Sequence, residues 1–191
     1  MKQAIELAFE ESVRVKRAFL RDNLDMLVRV IDAVAAAFQR GNKLLIFGNG
    51  GSAADAQHIA AEFTNRFLIE RPPLAALALT TDTSALTAIA NDYDYSQVFA
   101  KQVKALGKAG DMALAISTSG NSANILLALD ACRELKITTI GLTGGKGGKM
   151  AAKVDFLLQA SEGKTSPRIQ ETHILVGHVI CEMVDQKLFT S

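Results

Sequence analysis

Tryptophan is absent from this 191-residue sequence, aromatic residues make up 6% of it, and it has only three prolines and two cysteines. So few aromatic side chains argue against a stacking platform for single-stranded nucleic acid. Cys132 and Cys181 lie far apart and fit neither a disulfide framework nor a zinc-knuckle spacing. We therefore expect two free, buried thiols, as in a protein of a reducing compartment such as the cytoplasm.

An excess of charge of one sign is also missing, because 21 Lys and Arg balance 20 Asp and Glu. This balance argues against electrostatic binding to nucleic acid or to a membrane surface. No apolar run reaches the ~18 residues of a membrane span, and charges interrupt the N-terminus from its first residues, unlike in a signal peptide. With 49% apolar residues, the chain is expected to fold as one cytoplasmic domain over residues 1–191.

The first 40 residues carry apolar side chains at the three- and four-residue spacing of amphipathic helices. Arg21-Asp22-Asn23 is the expected break between two helices, and Gly41 the expected stop. The apolar residues fall on more than one face of these helices. We therefore expect residues 1–40 to pack in the core of an oligomer and residues 41–191 to form the α/β part.

Beyond residue 41, short apolar runs alternate with helical stretches. Runs that are apolar on both faces are typical of strands in a parallel sheet. The alternation predicts a three-layer α/β/α sandwich of the flavodoxin-like type, with a five-stranded parallel sheet. The expected strands are 43–47, 74–79, 112–116, 137–142 and 154–158, and the expected helices are 53–66, 84–106, 122–135, a short one near 148–152, and 167–188.

Two loops follow strands directly and precede helices, where α/β folds bind ligands. The second loop, 117–122, supplies four hydroxyl groups (Ser117, Thr118, Ser119 and Ser122) beside the free N–H groups of a helix start, which suits a phosphate. The alternative is that these residues only cap the helix. The first loop, 48–52, is glycine-rich but lacks the third glycine of a dinucleotide fingerprint, which argues against a nicotinamide dehydrogenase. A third loop, 143–148, is equally well explained as a flexible turn.

His58 and Glu62 share one helix face, and Gln170 and His178 share a face of the last helix. Imidazole and carboxylate groups can bind zinc or transfer protons between adjacent carbons. Alternatively, His58 and Glu62 form a solvated pair, Gln170 is a surface residue and His178 a core histidine. Periodicity alone does not bring the two helices together. We expect His173, on another face, to be structural.

Four segments resemble the bacterial phosphoheptose isomerases of the sugar-isomerase (SIS) domain class: FGNGGSAADAQHIAAEF, TAIANDYDYSQVFAKQV, AISTSGNSANI and RIQETHILVGHVI. The resemblance covers essentially the whole chain. It implies the conversion of sedoheptulose 7-phosphate to D-glycero-D-manno-heptose 7-phosphate, the first step towards the ADP-heptose of lipopolysaccharide. It also implies a homotetramer with active sites at subunit interfaces.

The resemblance further implies roles for individual residues. Glu62 would be the general base and His178 the general acid, and a zinc ion would be held by His58, Glu62, Gln170 and His178. A metal-bound carboxylate is a weaker base, so the two roles of Glu62 compete. The substrate-binding residues implied are Asn49, Gly50, Gly51, Ser52, Glu62, Asn91, Asp92, Ser117, Thr118, Ser119, Ser122 and Gln170.

The sequence also allows two alternative functions. A relative of these isomerases binds the bacterial replication initiator without catalysis and lacks the matching glutamate and histidine, whereas this chain has Glu62 and His178. An SIS-type protein acting on a hexose or pentose phosphate is the other alternative.

Overall fold

The computed structural model describes residues 1–190 and contains one five-stranded, fully parallel sheet with the strand order β2-β1-β3-β4-β5. The strands are β1 (Leu44–Gly48), β2 (Ala76–Ala78), β3 (Met112–Ser117), β4 (Thr138–Gly144) and β5 (Phe156–Ala160). The helices are α1 (Lys2–Gln39), α2 (Gly51–Thr64), α3 (Thr83–Asp92), α4 (Val98–Leu106), α5 (Ala123–Glu134) and α6 (Ser166–Phe189), with 3₁₀ turns at Tyr95–Gln97 and Gly148–Ala152.

The central strands β1 and β3 are buried along their whole length, which explains their unbroken apolar sequences. Their register pairs Leu44 with Met112 and Gly48 with Ile116. Alternate strand residues contribute to two separate cores, one under α1, α2 and α6 and the other under α4 and α5. The predicted three-layer α/β sandwich with a five-stranded parallel sheet is therefore confirmed.

The predicted break at Arg21-Asp22-Asn23 is wrong, because α1 runs without interruption for 38 residues, about 57 Å. None of the three residues prevents helix formation. The side chain of Asn23 is buried and donates to the Phe19 carbonyl one turn earlier and to the Gln159 carbonyl of β5. Arg21 and Asp22 form an exposed ion pair with each other. The helix ends where predicted, with Gly41 in the left-handed conformation at φ 73°.

The predicted helix over 84–106 is also corrected, because it consists of α3, the 3₁₀ turn at Tyr95–Gln97 and α4. The carboxylate of Asp94 accepts from the Ser96 backbone N–H, and so ends one helix and starts the next turn. The expected strand 74–79 shortens to three residues at the sheet edge. The short helix expected near 148–152 is a 3₁₀ turn.

Within residues 1–190, no helix has both the length and the apolar character needed to cross a bilayer.

Candidate active site

The first and second loops meet at the carboxyl ends of the neighbouring strands β1 and β3 and line one small cavity of about 70 Å³. Most of the predicted phosphate and substrate residues are thus brought together. The cavity is lined by Asn49, Ser52, Ile116, Ser117, Thr118, Ser119, Ser122 and Gln170.

The hydroxyl groups of this cavity are not consumed by helix capping. Ser122 precedes α5 and Gly50 precedes α2, and neither helix start has a side-chain capping hydrogen bond. Within the turn, the Ser117 hydroxyl accepts from the Gly120 N–H and the Ser119 hydroxyl accepts from the Asn121 N–H. Because Ser52 and Ser122 line the cavity, the positive dipole ends of α2 and α5 lie beside it, which favours a phosphate there.

Asn124 is a site residue that the sequence interpretation missed. Its buried amide forms a reciprocal pair with Asn49, with N···O distances of 2.8 and 2.9 Å, and its oxygen also accepts from the Ile125 N–H at 3.0 Å. The Tyr95 hydroxyl approaches the same Asn49 oxygen at 3.4 Å. Because Asn49 belongs to the first loop and Asn124 to α5, this pair fixes the two loops relative to each other.

The third glycine-rich loop lies directly behind the second loop. Gly120 has φ 64°, and a Cβ atom there would lie 2.0 Å from the Gly147 carbonyl oxygen. The Met150 N–H donates to Gly120, and the Gly144 N–H donates to Thr118. The third loop therefore supports the second loop. A glycine is needed at position 120 because the two backbones approach so closely there.

Helices α2 and α6 run side by side away from the cavity. At the loop end, a Cβ atom on Gly51 would lie 2.5 Å from the Gln170 amide nitrogen. Two turns further, a Cβ atom on Gly177 would lie 2.5 Å from Ile59. The absence of a side chain at Gly177 lets the two helices approach closely, so the side chains that follow it can meet those of α2.

His58, Glu62 and His178 meet at this second contact, with their ligand atoms within 4.8 Å of one another. His58 Nε2 lies 2.9 Å from Glu62 Oε1 and 3.3 Å from His178 Nε2. Phe67, which the sequence interpretation did not select, stacks on the His178 ring at a centroid distance of 5.5 Å. His58, Glu62 and His178 of this cluster all belong to one chain.

The donor set fits a zinc ion. Two ring nitrogens 3.3 Å apart need either a shared proton or a cation between them. Ligand atoms about 2.0–2.1 Å from a tetrahedral zinc lie roughly 3.3 Å from one another. The two ring nitrogens have this spacing, and His58 Nε2 and Glu62 Oε1 are closer, at 2.9 Å. His58, Glu62 and His178 can therefore hold a metal, and Gln170, on the same helix as His178, lies at the cavity end of that helix.

Asn91 and Asp92 lie at the end of α3, exposed, with the Asn91 amide donating to the Asp92 carboxylate at 2.9 Å. No hydrogen bond joins either of them to the loops within residues 1–190. Their connection to the site runs through Tyr95, which follows them in the chain and reaches Asn49.

His173 has the structural environment expected of it. Its side chain is fully buried, and its Nε2 lies 3.1 Å from the Thr143 carbonyl oxygen of β4. Burial lowers the pKa of His173 from 6.5 to about 4, so the ring is neutral and does not take part in proton transfer at neutral pH.

Residues 9–144 match the family model of the SIS domain. A phosphoheptose isomerase of Thermodesulfovibrio yellowstonii is 52% identical over 189 residues, which are 99% of this chain and 94% of that protein. The chain belongs to the SIS-domain family of phosphoheptose isomerases. The resemblance inferred from the four motifs is thereby confirmed.

Solved structures of the same family superpose closely on this chain. The phosphoheptose isomerase of Neisseria gonorrhoeae has a TM-score of 0.91 at 46% identity and covers 97% of this chain and 98% of its own. The phosphoheptose isomerase of Francisella tularensis has a TM-score of 0.92 at 38% identity, with 96% and 97% covered. The family relationship thus extends from α1 to α6 and includes both halves of the candidate site.

Proposed function

We propose that this chain interconverts sedoheptulose 7-phosphate and D-glycero-D-manno-heptose 7-phosphate, the step that leads towards the ADP-heptose of lipopolysaccharide. The observation that carries the proposal is the joint presence of an uncapped, hydroxyl-lined phosphate cavity and a His–Glu–His cluster on the same pair of helices. The presence of Glu62 and His178 in one cluster supports an enzyme over a non-catalytic protein that binds the replication initiator.

The two parts of the site lie along the same pair of helices. Gln170 lines the cavity and belongs to α6, the helix that also carries His178. With standard bond lengths, an extended heptose spans roughly 10 Å from its phosphorus to C1. A phosphate held by the second loop would direct the sugar along α2 and α6, so that C1 and C2 reach Glu62 and His178.

The proposed reaction consists of two proton transfers. Glu62 removes a proton from C1 while His178 donates one to the C2 carbonyl oxygen, which gives an enediol. The protonated Glu62 carboxyl, whose side chain is 24% exposed, exchanges its proton with solvent and then protonates C2. His178 removes the proton from the C1 hydroxyl, so that the aldehyde forms and both residues regain their starting states. We propose that the Phe67 ring, stacked on His178, restricts the imidazole to one orientation.

We also propose that the metal is zinc, held by His58, Glu62 and His178, with Gln170 as a further ligand. When bound, zinc would supply Lewis-acid polarisation of the substrate carbonyl or orient the sugar. The two roles of Glu62 can be separated by assaying the enzyme after chelation and after zinc is restored. Faster turnover in the chelated enzyme would assign Glu62 to proton transfer alone.

The substrate hydroxyls are proposed to contact Asn91 and Asp92, and the sugar backbone to contact Asn49, Gly50, Gly51 and Ser52. Asn49 is already paired with Asn124, so we expect its backbone rather than its amide to face the sugar. Ser117, Thr118, Ser119 and Ser122 are the proposed phosphate contacts.

We propose a homotetramer in which residues 1–40 pack in the core of the oligomer, with residues 41–191 as the α/β part of one SIS domain. The supporting observation is a stripe of apolar side chains along α1 that this chain leaves exposed, including Phe9 at 72%. Its other members are Val13, Leu20, Leu24 and Val28. A stripe of this length is typical of a protein contact. The two buried free cysteines are compatible with a cytoplasmic enzyme.

The test is to incubate the purified, zinc-loaded protein with sedoheptulose 7-phosphate and follow aldose-phosphate formation by NMR. Wild type should form product, and Glu62→Gln should be slower by at least about 100-fold. Fructose 6-phosphate and ribulose 5-phosphate serve as shorter competitors. Absence of product from a zinc-loaded tetramer would contradict the proposal, and faster turnover of a shorter sugar would reassign the substrate.

A further inference from the structure

Arg71 is a buried arginine that lies outside the cavity and the metal cluster, between α2 and β2. Its side chain is 1% exposed and forms an ion pair with Asp185, itself 3% exposed, at 2.9 Å. A buried ion pair is weak evidence for stability, because the cost of removing both charges from water offsets their attraction. The groups that Arg71 and Asp185 hold in place explain the pair better than a gain in stability does.

One side of the Arg71 guanidinium holds the end of the helix that carries the proposed base. Its terminal nitrogens donate to the backbone carbonyl of Glu62 at 2.9 Å and to that of Phe63 at 2.7 Å. A third bond reaches the carbonyl of Asn65 at 3.1 Å. These carbonyls belong to the last turn of α2, where intrahelical partners run out and a cation is favoured. Arg71 therefore fixes the backbone of Glu62 itself.

The other side of the guanidinium holds the helix that carries the proposed acid. Its Nε donates to Asp185, which lies on α6 seven residues after His178, two turns along the same helix face. The second Asp185 oxygen is buried and has no hydrogen-bond partner within residues 1–190. The position of Asp185 thus depends on Arg71.

We propose that Arg71 and Asp185 are positioning residues for the isomerase reaction, and that they set the spacing between Glu62 and His178. This inference rests on the proposed function. The planar guanidinium donates in fixed directions, to the Glu62 backbone on one side and to α6 on the other. The phosphate cavity, at the opposite end of the two helices, does not depend on this pair.

The decisive variant is Asp185→Asn, which keeps the shape of the side chain and removes its charge. A displacement of about 1 Å between reacting groups costs roughly 100-fold in rate. We expect kcat to fall 10- to 100-fold while KM changes less than threefold, because the phosphate contacts are intact. Zinc affinity, measured by calorimetric titration, should fall at least tenfold.

The matched control is Asp111→Asn. Asp111 is fully buried and pairs with Lys43 at 2.6 Å, at the amino ends of β1 and β3 and therefore at the end of the sheet away from the site. This variant should lower the melting temperature but leave kcat and zinc affinity within twofold of wild type. Arg71→Lys, which keeps the charge without the planar fork, is the second test variant, and all variants are measured well below their melting temperatures.

The inference is overturned if Asp185→Asn and Arg71→Lys keep kcat and zinc affinity within twofold while losing stability as Asp111→Asn does. If the wild type itself converts no heptose phosphate, the proposed function fails. The zinc titration then still decides the inference, because spacing of the His–Glu–His cluster can be measured without turnover.

Discussion

The Asn49–Asn124 pair is predicted to control substrate affinity, because it joins the loop after β1 to the helix after the phosphate loop. Asn124→Ala removes the reciprocal amide bonds at 2.8 and 2.9 Å and leaves part of Asn49 without a partner. One net hydrogen bond contributes about 1 kcal/mol, and an unsatisfied buried group costs about 1–3 kcal/mol. The free energy of unfolding should therefore fall by about 2–4 kcal/mol.

For a chain of this size, that loss corresponds to a decrease in melting temperature of roughly 4–16 °C. We expect KM for the heptose phosphate to rise at least tenfold, measured by steady-state kinetics well below the melting temperature. Asn124→Asp should raise KM further, because it places a carboxylate beside the phosphate cavity.

Asn23→Ala is the control for this prediction. Asn23 is also a buried asparagine whose amide joins two elements, but it connects α1 to the outermost strand β5. It should lose comparable stability with KM unchanged. The reasoning is refuted if Asn124→Ala melts within 2 °C of wild type, or if both variants raise KM equally.

Three further predictions concern the site and its support. Gly51→Ala should melt like wild type but raise KM, because the added Cβ would lie 2.5 Å from the Gln170 amide nitrogen and displace that side chain. An unchanged KM would contradict the proposed role of Gln170. His58→Ala should weaken zinc binding by at least about 100-fold in calorimetry, and unchanged affinity would place the metal elsewhere. Because the pKa of His173 is about 4 when folded and 6.5 when unfolded, the unfolded chain binds more protons between these values. The free energy of unfolding should therefore drop by about 1.6 kcal/mol from pH 6.5 to pH 5, and less in His173→Gln. Denaturant titrations at several pH values measure this free energy. The same pH dependence in the wild type and in His173→Gln would refute the prediction.

The sheet was predictable from sequence because its strands are buried on both faces, and burial of that kind leaves a continuous apolar run. The run at Leu44–Phe47 and the run at Met112–Ile116 both became central strands. The glycine- and serine-rich loops after them were predictable for the same reason. The continuity of α1 through residue 23 could not be predicted from the sequence. Asn23 is held in the helix by a partner on β5, more than 130 residues away in the chain.

The site was predictable in part. The i, i+4 spacing placed His58 and Glu62 on one face, but the meeting with His178 depends on the close approach of α2 and α6 at Gly177. No periodicity reports such a contact between two helices. Asn124 and Arg71 escaped notice because each looks like an ordinary polar residue until its distant partner is known.

The most direct test of the central claim is to run the isomerisation in deuterium oxide and examine the product by NMR. Proton transfer through an enediol should place solvent deuterium at C2 of the aldose phosphate formed by the wild type. Glu62→Gln, folded and assayed both with and without added zinc, should form product at no more than about 1% of that rate in both conditions. A wild-type product free of deuterium, or a Glu62→Gln variant with the wild-type rate, would contradict Glu62 as the base.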